Sequence, residues 1–412
     1  MPLRILICGG GIAGPSLAYL LSRLGHRITI VERWPALRAH GAQIDLRAQG
    51  LIVAERMGLL EAIRAKTVQE DGFEMLDQQG RSVAKFPVNK TGKGAQGLIS
   101  EFEIMRGDLV RVLYEATKED VRYEFGKTVE TFEQDEGSVT AHFSDGKSEA
   151  FDLLVGADGQ GSRIRKAILP AGEDPLRHMG IYLAHWNIPS DPKASRYGRG
   201  THAPGGRVFW TRLHNGQAAF QIRDPSPALR GMPRLPVKEQ MHFWKERFAD
   251  AGWIAPQLAK EMQNSDYFYC SESIQVKPST FSSGRVVLLG DAASCPGPTG
   301  MGTTNALVGA YILAGQIARI PSPQASLSDI RTALEGYENI MRPFTEQLQK
   351  IWPGVFRFVM PDSRPGVWLL RFVAKWAARL KIPTLAASFG KEDDGKGKGS
   401  WQVPVYPALH RS

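Results

Sequence analysis

A glycine-rich turn near the N-terminus constrains the fold of this chain more than any other feature. It occurs in RILICGGGIAGPSLAYLLSRLGHRITIVER, residues 4–33. The apolar run 3–8 predicts a buried strand, the periodic segment 16–24 predicts a helix, and 27–31 predicts a second strand. Between the first two elements, Gly9, Gly11 and Gly14 satisfy the pattern G-x-G-x-x-G. Without side chains at these positions, backbone N–H groups can approach a pyrophosphate at the start of the helix.

An acidic residue at the end of the second strand supports the same interpretation. Glu32 follows Gly14 by 18 residues (32 minus 14). At that position a carboxylate can accept hydrogen bonds from the ribose hydroxyls of an adenosine. The unit therefore predicts a dinucleotide site, but it does not distinguish NAD from FAD.

Two later segments favour FAD. The first is FDLLVGADGQGSRIRKAI, residues 151–168, in which an apolar strand leads into a polar turn at Asp158 and Gly159. In the second, GRVVLLGDAASCPGPTGMGTTNALVGAYILAGQIA, residues 284–318, a strand ends at Gly290 and Asp291 and a helix begins near Thr303. An aspartate after a buried strand can accept hydrogen bonds from a ribityl chain. A glycine-rich helix N-terminus can stabilise a flavin ring that becomes anionic on reduction.

With these three motifs in this order, the chain resembles the single-component (class A) flavoprotein monooxygenases of the para-hydroxybenzoate hydroxylase fold. Within that class it looks most like the tetracycline-inactivating monooxygenases. The resemblance continues through GAQIDLRAQGLIVAERMGLLEAI, residues 41–63, and through MRGDLVRVL, residues 105–113. It covers the first 170 residues and 280–320 well, and the rest of the chain in outline.

The resemblance implies a set of cofactor-binding residues. Glu32 would hold the adenosine ribose, Arg106 would contact FAD, and Asp291 would bind the ribityl hydroxyls. The full implied set is Gly9, Gly11, Gly14, Glu32, Arg33, Arg38, Asp45, Arg106, Asp158, Gly159, Asp291, Gly300, Gly302 and Thr303. Many relatives have His where this chain has Ser294, and Cys295 beside it is expected to be a buried, inert thiol.

The middle of the chain is expected to bind the substrate. Short runs of alternating apolar and polar residues between 175 and 280, with a turn at Asn215-Gly216, predict an antiparallel sheet. Aromatic residues on it could line a pocket, and the predicted substrate contacts are Tyr182, His185, Trp210 and Phe220. Because imidazole titrates near neutral pH, His185, His202 and His214 are candidates for a catalytic residue. His185 is preferred, because its strand resembles one that contacts the substrate in the family's members.

The C-terminal region contains an amphipathic segment. Arg371, Lys375 and Arg379 recur every four residues, and the other side carries Trp368, Leu369, Phe372, Val373, Trp376 and Leu380. The preferred interpretation is a helix whose apolar stripe packs across the two lobes, and the alternative is binding to an anionic membrane. The charged, glycine-rich tail after Pro383 is expected to be loose.

Together these features predict an α/β fold with a Rossmann-like FAD-binding domain, an antiparallel β-sheet substrate domain and a C-terminal helix. The expected boundaries are 1–70, 100–175 and 280–345 for the FAD-binding domain, and 71–99 with 176–279 for the substrate domain. Residues 346–412 form the bridging helix and tail.

Composition narrows the functional class. Three cysteines, Cys8, Cys270 and Cys295, without metal-like spacing predict no disulfide framework and no metal site, and favour the reducing cytoplasm. The charge of +9 arises from 51 basic and 42 acidic residues. Nucleic-acid binding would require a basic stripe interleaved with base-stacking aromatics, and apart from the C-terminal helix none is found.

The resemblance implies an oxidoreductase of secondary metabolism that uses FAD, O2 and NADPH or NADH. It would insert one oxygen atom into an aromatic, phenolic or enolic natural product by hydroxylation, epoxidation or Baeyer–Villiger reaction. The alternatives are a flavin oxidase or reductase, a halogenase, suggested by half a motif in AHWNIP, and a non-catalytic FAD-binding protein. The sequence leaves open the substrate, the choice of nicotinamide cofactor and the oligomeric state.

Overall fold

The N-terminal glycine-rich unit lies at the centre of a largely parallel sheet in the computed structural model, which describes residues 2–38, 41–89, 101–320, 326–380 and 401–410. The strands in the described residues are β1 (Arg4–Cys8), β2 (Arg27–Glu32), β3 (Gln43–Asp45), β4 (Gly72–Leu76), β5 (Ser82–Pro87), β6 (Glu103–Met105), β7 (Val121–Phe125), β8 (Val129–Gln134), β9 (Val139–Phe143), β10 (Ser148–Phe151), β11 (Leu153–Gly156), β12 (Leu176–Asn187), β13 (Tyr197–Ala203), β14 (Arg207–Arg212), β15 (Gln217–Arg223), β16 (Phe268–Val276), β17 (Ser282–Ser283) and β18 (Val286–Leu288).

The α-helices of the same residues are α1 (Ala13–Arg23), α2 (Gln49–Arg56), α3 (Leu60–Arg64), α4 (Arg106–Glu115), α5 (Arg163–Ile168), α6 (Val237–Phe248), α7 (Ala255–Asn264), α8 (Asp291–Ser294), α9 (Gly302–Ile317), α10 (Leu327–Leu348), α11 (Val355–Val359) and α12 (Arg364–Arg379). None of these helices is long and apolar enough to cross a lipid bilayer.

The first sheet has the strand order β17-β18-β11-β1-β2-β7, and its neighbours from β18 to β7 pair in parallel. Ile5, Leu6 and Ile7 of β1 are fully buried, as expected for a central parallel strand covered on both faces. Helices α1 and α9 pack against each other, and α9 is apolar on all sides because protein surrounds it. The predicted α/β class is confirmed.

The second large sheet has the order β16-β12-β15-β14-β13-β4-β5. Its neighbours are antiparallel except β13 and β4, which run parallel. The hairpin predicted at Asn215-Gly216 joins β14 to β15, with Gly216 in the left-handed conformation at a φ of 62°. The sequence analysis missed α6 and α7, which lie within the segment predicted to be sheet and cover one face of it.

The C-terminal helix does not pack as predicted. Helix α12 lies on β5 and β13 of the seven-stranded sheet and buries Val367, Leu370, Ala374 and Ala377. The stripe expected to face inward is exposed instead, except for the partly buried Val373. Apolar side chains occur on both faces of α12. The buried face includes the small side chains of Ala374 and Ala377, so the helix can approach the sheet more closely there than through its tryptophan side.

The C-terminal tail is also better packed than predicted. Residues 381–400 lie outside the described residues, but 401–410 rest on α2 and α9. Tyr406 is buried, and its hydroxyl accepts a hydrogen bond from Gln316 Nε2 at 2.8 Å. A Cβ at Gly315 would lie 2.3 Å from the Tyr406 ring, so the glycine makes room for it. Arg56 binds the carbonyl groups of Val403 and Pro404.

This packing predicts that Tyr406 stabilises α9, the helix that contains Gly315 and Gln316. Tyr406→Ala should lower the free energy of unfolding by about 3–5 kcal/mol, because a buried aromatic ring is removed. Tyr406→Phe keeps the ring and loses one hydrogen bond, and should cost about 1–2 kcal/mol. Urea denaturation measures both values. Equal costs for the two variants would contradict the packing described for this segment.

Candidate functional site

The candidate site lies at the edge of the first sheet where four parallel strands end. Strands β1, β2, β11 and β18 end at Cys8, Glu32, Gly156 and Leu288, and a cavity of about 680 Å³ begins at these ends. Predicted cofactor residues that line it are Gly9, Gly11, Glu32, Arg33, Arg38, Arg106, Asp158, Gly159, Asp291, Gly302 and Thr303. Three widely separated chain segments therefore meet around one cavity.

Two glycines of the loop, Gly9 and Gly14, leave no room for a side chain. A Cβ at Gly9, whose φ is 122°, would lie 2.4 Å from the carbonyl oxygen of Ala157. At Gly14 a Cβ would lie 2.1 Å from the carbonyl oxygen of Gly9, so this glycine allows α1 to pack against the loop rather than lining the cavity. Gly11 faces the cavity near the guanidinium of Arg106. This cradle fits a pyrophosphate held by backbone N–H groups.

Glu32 anchors the loop from the neighbouring strand. Its Oε2 accepts a hydrogen bond from the N–H of Gly10 at 2.8 Å, and its Oε1 accepts one from Trp34 at 3.1 Å. Carboxylate oxygens carry further lone pairs, so these bonds leave Glu32 able to accept from a ribose hydroxyl. Arg33, beside it, is exposed at the rim.

Asp158 and Arg165 organise the contact between segments 151–168 and 284–318. Arg165 is not among the residues predicted from the sequence. The carboxylate of Asp158 accepts from the N–H of Arg163 at 2.7 Å and caps α5. From the same helix, the buried guanidinium of Arg165 donates to the carbonyl groups of Ala292 at 3.0 Å and Gln160 at 2.6 Å. The basic residues of GADGQGSRIRK are the sequence signal for this contact, although their partners cannot be read from the sequence.

Asp291 follows Gly290, whose φ of 62° turns the chain out of β18. Desolvation raises the pKa of Asp291 to about 6, although a hydrogen bond with Cys295 and the charges of Arg106 and Arg165 oppose the shift. Desolvation also raises the pKa of the Cys295 thiol well above its usual range. A thiol in that state is a poor nucleophile, as expected for an inert cysteine.

The N-terminus of α9 closes this end of the cavity. Gly302 and Thr303 line it, whereas Gly300 does not. Ser294 accepts hydrogen bonds from Asn305 Nδ2 through its carbonyl oxygen at 2.6 Å and its hydroxyl at 3.2 Å. These contacts hold the short helix α8 against α9.

Two arginines, Arg38 and Arg106, contribute positive charge to the cavity. Arg106 begins α4, and both Arg106 and Arg38 line the cavity. Desolvation, together with the charge of Arg38, lowers the pKa of Arg106. The Arg38 guanidinium lies 5.2 Å from the ring centre of Trp34 and 5.6 Å from that of Tyr269. A cluster of cationic side chains suits the phosphates of a dinucleotide. Asp45 is not at the cavity, because its carboxylate pairs with Arg47.

The seven-stranded sheet supplies the other wall. Directly paired residues share a face of a sheet, so one row can be followed across all seven strands. This row is Tyr269, His185, Ala219, Trp210, Gly200, Met75 and Ala84. Tyr269 and His185 line the cavity, and Trp210 lies on the same face two strands further on.

The predicted contacts Tyr182 and Phe220 are on the opposite face, and this part of the prediction is corrected. Both side chains are buried in a core with Trp186, Phe209 and Phe248, beneath α6 and α7. Tyr182 precedes His185 by three positions, an odd number, so the two side chains point to opposite faces of the strand. The sequence analysis could not assign the faces, because apolar residues occupy both.

His185 is buried, and neither of its ring nitrogens has a hydrogen-bond partner among the described residues. Burial lowers its pKa to about 4; the nearby Gln217 side chain opposes the shift and the charge of Arg212 adds to it. Oε1 of the buried Gln217, in the next row of the same face, also lacks a partner there. Unpaired buried polar groups are costly, so these groups are suited to bind a ligand that enters the cavity.

The other two candidate histidines lie elsewhere. His202 lies where α12 meets β13, its carbonyl accepts from Arg371 at 2.8 Å, and burial lowers its pKa to about 4. His214 lies in the turn after β14, and burial lowers its pKa as well. Neither lines the cavity.

The sequence analysis missed two parts of this region. Tyr267 and Tyr269 line the cavity from the start of β16, and the alternation in DYFYCSES was the available signal. A polar cluster around the buried Glu70 and Glu103, completed by Gln43, Arg212 and Asn215, lies beside Ala42 and Ile44, which line the cavity at the start of β3. It joins residues up to 172 positions apart and has no local sequence pattern.

The polar cluster contains two carboxylates but one guanidinium. Arg212 Nε donates to Glu70 at 2.9 Å, and its Nη2 lies 3.7 Å from Glu103. Gln43 donates to both carboxylates. Desolvation raises the pKa of Glu103 to about 7, and the charges of Asp45 and Glu70 add to the shift while Arg212 opposes it. Burial in this cluster therefore favours the protonated form of Glu103 up to a higher pH than is usual for a glutamate.

Comparisons with known proteins agree with this geometry. Residues 3–350 match the FAD binding domain family. The chain is 37% identical to the FAD-dependent monooxygenase asL6 of Sarocladium schorii, over 99% of both chains. It is 35% identical to the flavin-dependent monooxygenase eupH of a Phoma species, over 91% of this chain and 92% of the relative. The crystal structure of tetracycline destructase Tet(55) superimposes with a TM-score of 0.77 and 26% identity, over 98% and 99% of the two chains.

The glycine contacts predict that Gly14→Ala weakens the binding of FAD. The added methyl group would collide with the Gly9 carbonyl and displace the loop, which should destabilise the fold by about 1–3 kcal/mol and weaken FAD binding by about tenfold or more. The flavin content of the purified protein and an FAD titration measure the effect. Gly231→Ala is the control, since a Cβ there meets nothing within 4 Å. Equal FAD affinity in both variants would contradict the assignment.

The polar cluster predicts a pH-dependent stability. Because the folded pKa of about 7 for Glu103 is above the usual 4.5, the folded state holds the proton more tightly than the unfolded state. Stability from this group is complete below about pH 4.5 and is lost as the pH rises through 7.

Glu103→Gln should remove this loss of folding stability at high pH, because glutamine does not ionise. The variant should match the wild type near about pH 5 and exceed its free energy of unfolding by about 2–3 kcal/mol near about pH 8.5. Urea denaturation at both values tests this, with the exposed Glu133→Gln as control. A variant less stable than the wild type at the higher pH would show that the carboxylate is ionised in the fold.

Proposed function

The chain belongs to the FAD-dependent monooxygenases, and from this premise we propose that it uses NAD(P)H and O2 to insert one oxygen atom into an aromatic, phenolic or enolic natural product. One observation carries the proposal. A single cavity extends from the glycine loop and Glu32 to His185 on the second sheet. A cofactor held along that cavity would have its reactive end beside a wall that contains unpaired hydrogen-bonding groups.

The name of Tet(55) supports the proposed substrate class, because it states that this neighbour acts on tetracycline. The relatives asL6 and eupH are named only as monooxygenases and leave the reaction type open. Hydroxylation, epoxidation and Baeyer–Villiger insertion therefore stay within the proposal. So does the use of either NADPH or NADH.

Each part of the cavity has a proposed task. FAD, when bound, supplies the redox and oxygen-activating chemistry. Glu32 would hold its ribose, the glycine loop with Arg38 and Arg106 its phosphates, and Asp291 its ribityl hydroxyls. Gly302 and Thr303 would present the N-terminus of α9 to the flavin ring, where the helix dipole stabilises negative charge. The sheet wall with Leu183 and His185 would exclude water from the reacting atoms.

His185 is proposed to orient the substrate as a neutral imidazole. With a pKa of about 4 it is uncharged at neutral pH, and its unpaired ring nitrogens can accept a hydrogen bond from a phenol or enol hydroxyl and donate one in return. Oε1 of Gln217, which has no partner among the described residues, could accept a hydrogen bond from a second polar group of the substrate, while its Nε2 donates to Met105 Sδ. An exact orientation of the reacting carbon contributes strongly to the rate.

The halogenase alternative loses support from the position of Trp186. This residue carries half of the motif in AHWNIP, but it is fully buried in the core on the far side of the sheet from the cavity. It cannot contact a substrate that lies beside His185. A flavin oxidase or reductase is distinguished by its products, since neither would transfer oxygen from O2 to the substrate.

The function test measures oxygen transfer directly. The purified, FAD-loaded protein is screened with phenolic and enolic metabolites for accelerated oxidation of NADPH and NADH, and products are analysed for incorporation of labelled oxygen. We expect at least one compound that accelerates the oxidation and gains one labelled atom. Accelerated oxidation without label in any product would identify an oxidase or reductase and contradict the proposal.

His185→Ala should lower kcat/KM for such a substrate by about tenfold to a hundredfold, corresponding to about 1–3 kcal/mol of lost hydrogen bonding. FAD affinity should not change. His185→Gln restores a donor and an acceptor and should recover part of the loss.

The pH profile of kcat/KM separates this role from that of a titrating base. Because the imidazole of His185 is neutral above its pKa of about 4, the wild type should show no ionisation between about pH 6 and 7 that the His185→Gln variant lacks. Such an ionisation would contradict the proposed neutral role.

A further inference from the structure

Helix α12 presents an aromatic ridge to solvent, which we define as Trp368, Leu369, Phe372, Trp376 and Leu380. The exposed fractions of the three aromatic side chains are 65%, 47% and 45%, and those of Leu369 and Leu380 are 47% and 61%. The rings of Trp368 and Phe372 stack with centres 5.4 Å apart, and Phe372 and Trp376 follow at 6.2 Å. Single exposed apolar residues are common, but a contiguous stripe marks an interaction surface.

The ridge cannot turn inward, because the opposite side of the helix is fixed. Leu370 and Ala374 are buried against the seven-stranded sheet, where Ala374 packs with Met75 and Ala84. Arg371 donates to the Thr201 hydroxyl at 3.1 Å and to the His202 carbonyl at 2.8 Å. Rotating the helix would break these contacts, so the ridge is a fixed feature of the surface.

Positive charges accompany the ridge. Arg364, Lys375 and Arg379 are exposed, and no acidic residue occurs between positions 364 and 379. At about 100° per residue the three cations fall within an arc of about 60° at one edge of the ridge. The Arg379 guanidinium lies 5.8 Å from the ring centre of Trp376. One exposed face thus combines tryptophan, leucine and cationic side chains.

We propose that this face docks the protein on an anionic lipid surface, with α12 parallel to the membrane plane. Tryptophan and phenylalanine rings favour the boundary between headgroups and acyl chains, and lysine and arginine attract acidic headgroups. The helix rests on the surface and does not span the bilayer. This interaction is separate from the proposed oxygen transfer and does not depend on the substrate.

Charge argues against a second copy of the chain as the occupant. A twofold contact through the ridge would bring the cations of one copy near those of the other, and no carboxylate of the helix could pair with them. Nucleic acid would satisfy the cations, but it would leave Leu369 and Leu380 without an apolar partner. An anionic membrane satisfies both the charges and the apolar side chains.

Vesicle co-sedimentation tests the proposal. The full-length, FAD-loaded protein is mixed with vesicles of phosphatidylcholine, either alone or with phosphatidylserine, at low and high salt. We expect binding to the anionic vesicles that is about tenfold tighter than to the neutral ones and that weakens with salt. Trp368→Ser/Phe372→Ser/Trp376→Ser should lose binding by about tenfold or more, and Lys375→Glu/Arg379→Glu should lose the preference for phosphatidylserine.

The matched control is Leu235→Ser/Val237→Ser, which removes exposed apolar side chains at the start of α6, on the other side of the sheet. It should bind vesicles like the wild type. All variants alter exposed residues, and unchanged flavin spectra and melting temperatures confirm that they are folded. Absence of wild-type binding at low salt, or triple-variant binding equal to the wild type, would overturn the proposal. The proposal would also be overturned if the wild type were a dimer that the triple variant converts to a monomer. The same holds if the triple variant lost binding to single-stranded DNA by the same factor as binding to vesicles.

A second measurement reports the depth of insertion. Phosphatidylcholine brominated on its acyl chains, mixed with phosphatidylserine, quenches tryptophans that reach the acyl region. Trp368→Phe/Trp376→Phe keeps the apolar ridge and should bind with nearly unchanged affinity, but with less quenching than the wild type. Equal quenching in the two proteins would place other tryptophans at the membrane and contradict the assignment to α12.

Discussion

The site depends on a close approach of backbone to backbone at the carboxyl edge of a parallel sheet. The distances that a Cβ would have at Gly9 and Gly14, 2.4 Å and 2.1 Å from carbonyl oxygens, show that the loop, α1 and the turn after β11 fit together only without side chains. This contact leaves the helix N-terminus and its N–H groups directed at the cavity. Arg165 then ties the turn after β11 to the segment after β18, so that all three motifs share one geometry.

The second sheet separates two roles by its faces. One face, covered by α6 and α7, is an aromatic core with Trp186, Phe209 and Phe220. The other carries His185, Trp210 and Arg212 toward the first lobe. Polar atoms without partners among the described residues, including both ring nitrogens of His185 and Oε1 of Gln217, lie on this second face, where a ligand can pair with them. The same face extends to β4 and β5, where α12 covers it and exposes its aromatic ridge.

The sequence predicts best what local pattern determines. The strand–glycine–helix unit, the position of Glu32 and the two aspartate turns follow from short-range periodicity and turn chemistry, and the structure gathers them at one cavity. Contacts between distant segments were not predictable. Both faces of β12 and of α12 are apolar, so periodicity could not assign Tyr182 or Trp368 to a face. The cluster around Arg212 and the packing of Tyr406 join residues far apart in the chain and have no local signature.

The central claim is that the three motifs hold one extended FAD, with its adenosine at Glu32 and its ring at the start of α9. Titration of the apoprotein with FAD and with FMN, followed by flavin fluorescence, tests it most directly, because FMN lacks the adenosine half. The account predicts one FAD bound per chain and FMN bound about a hundredfold more weakly or worse. An apoprotein that takes up no FAD, or that binds FMN as tightly as FAD, would contradict it.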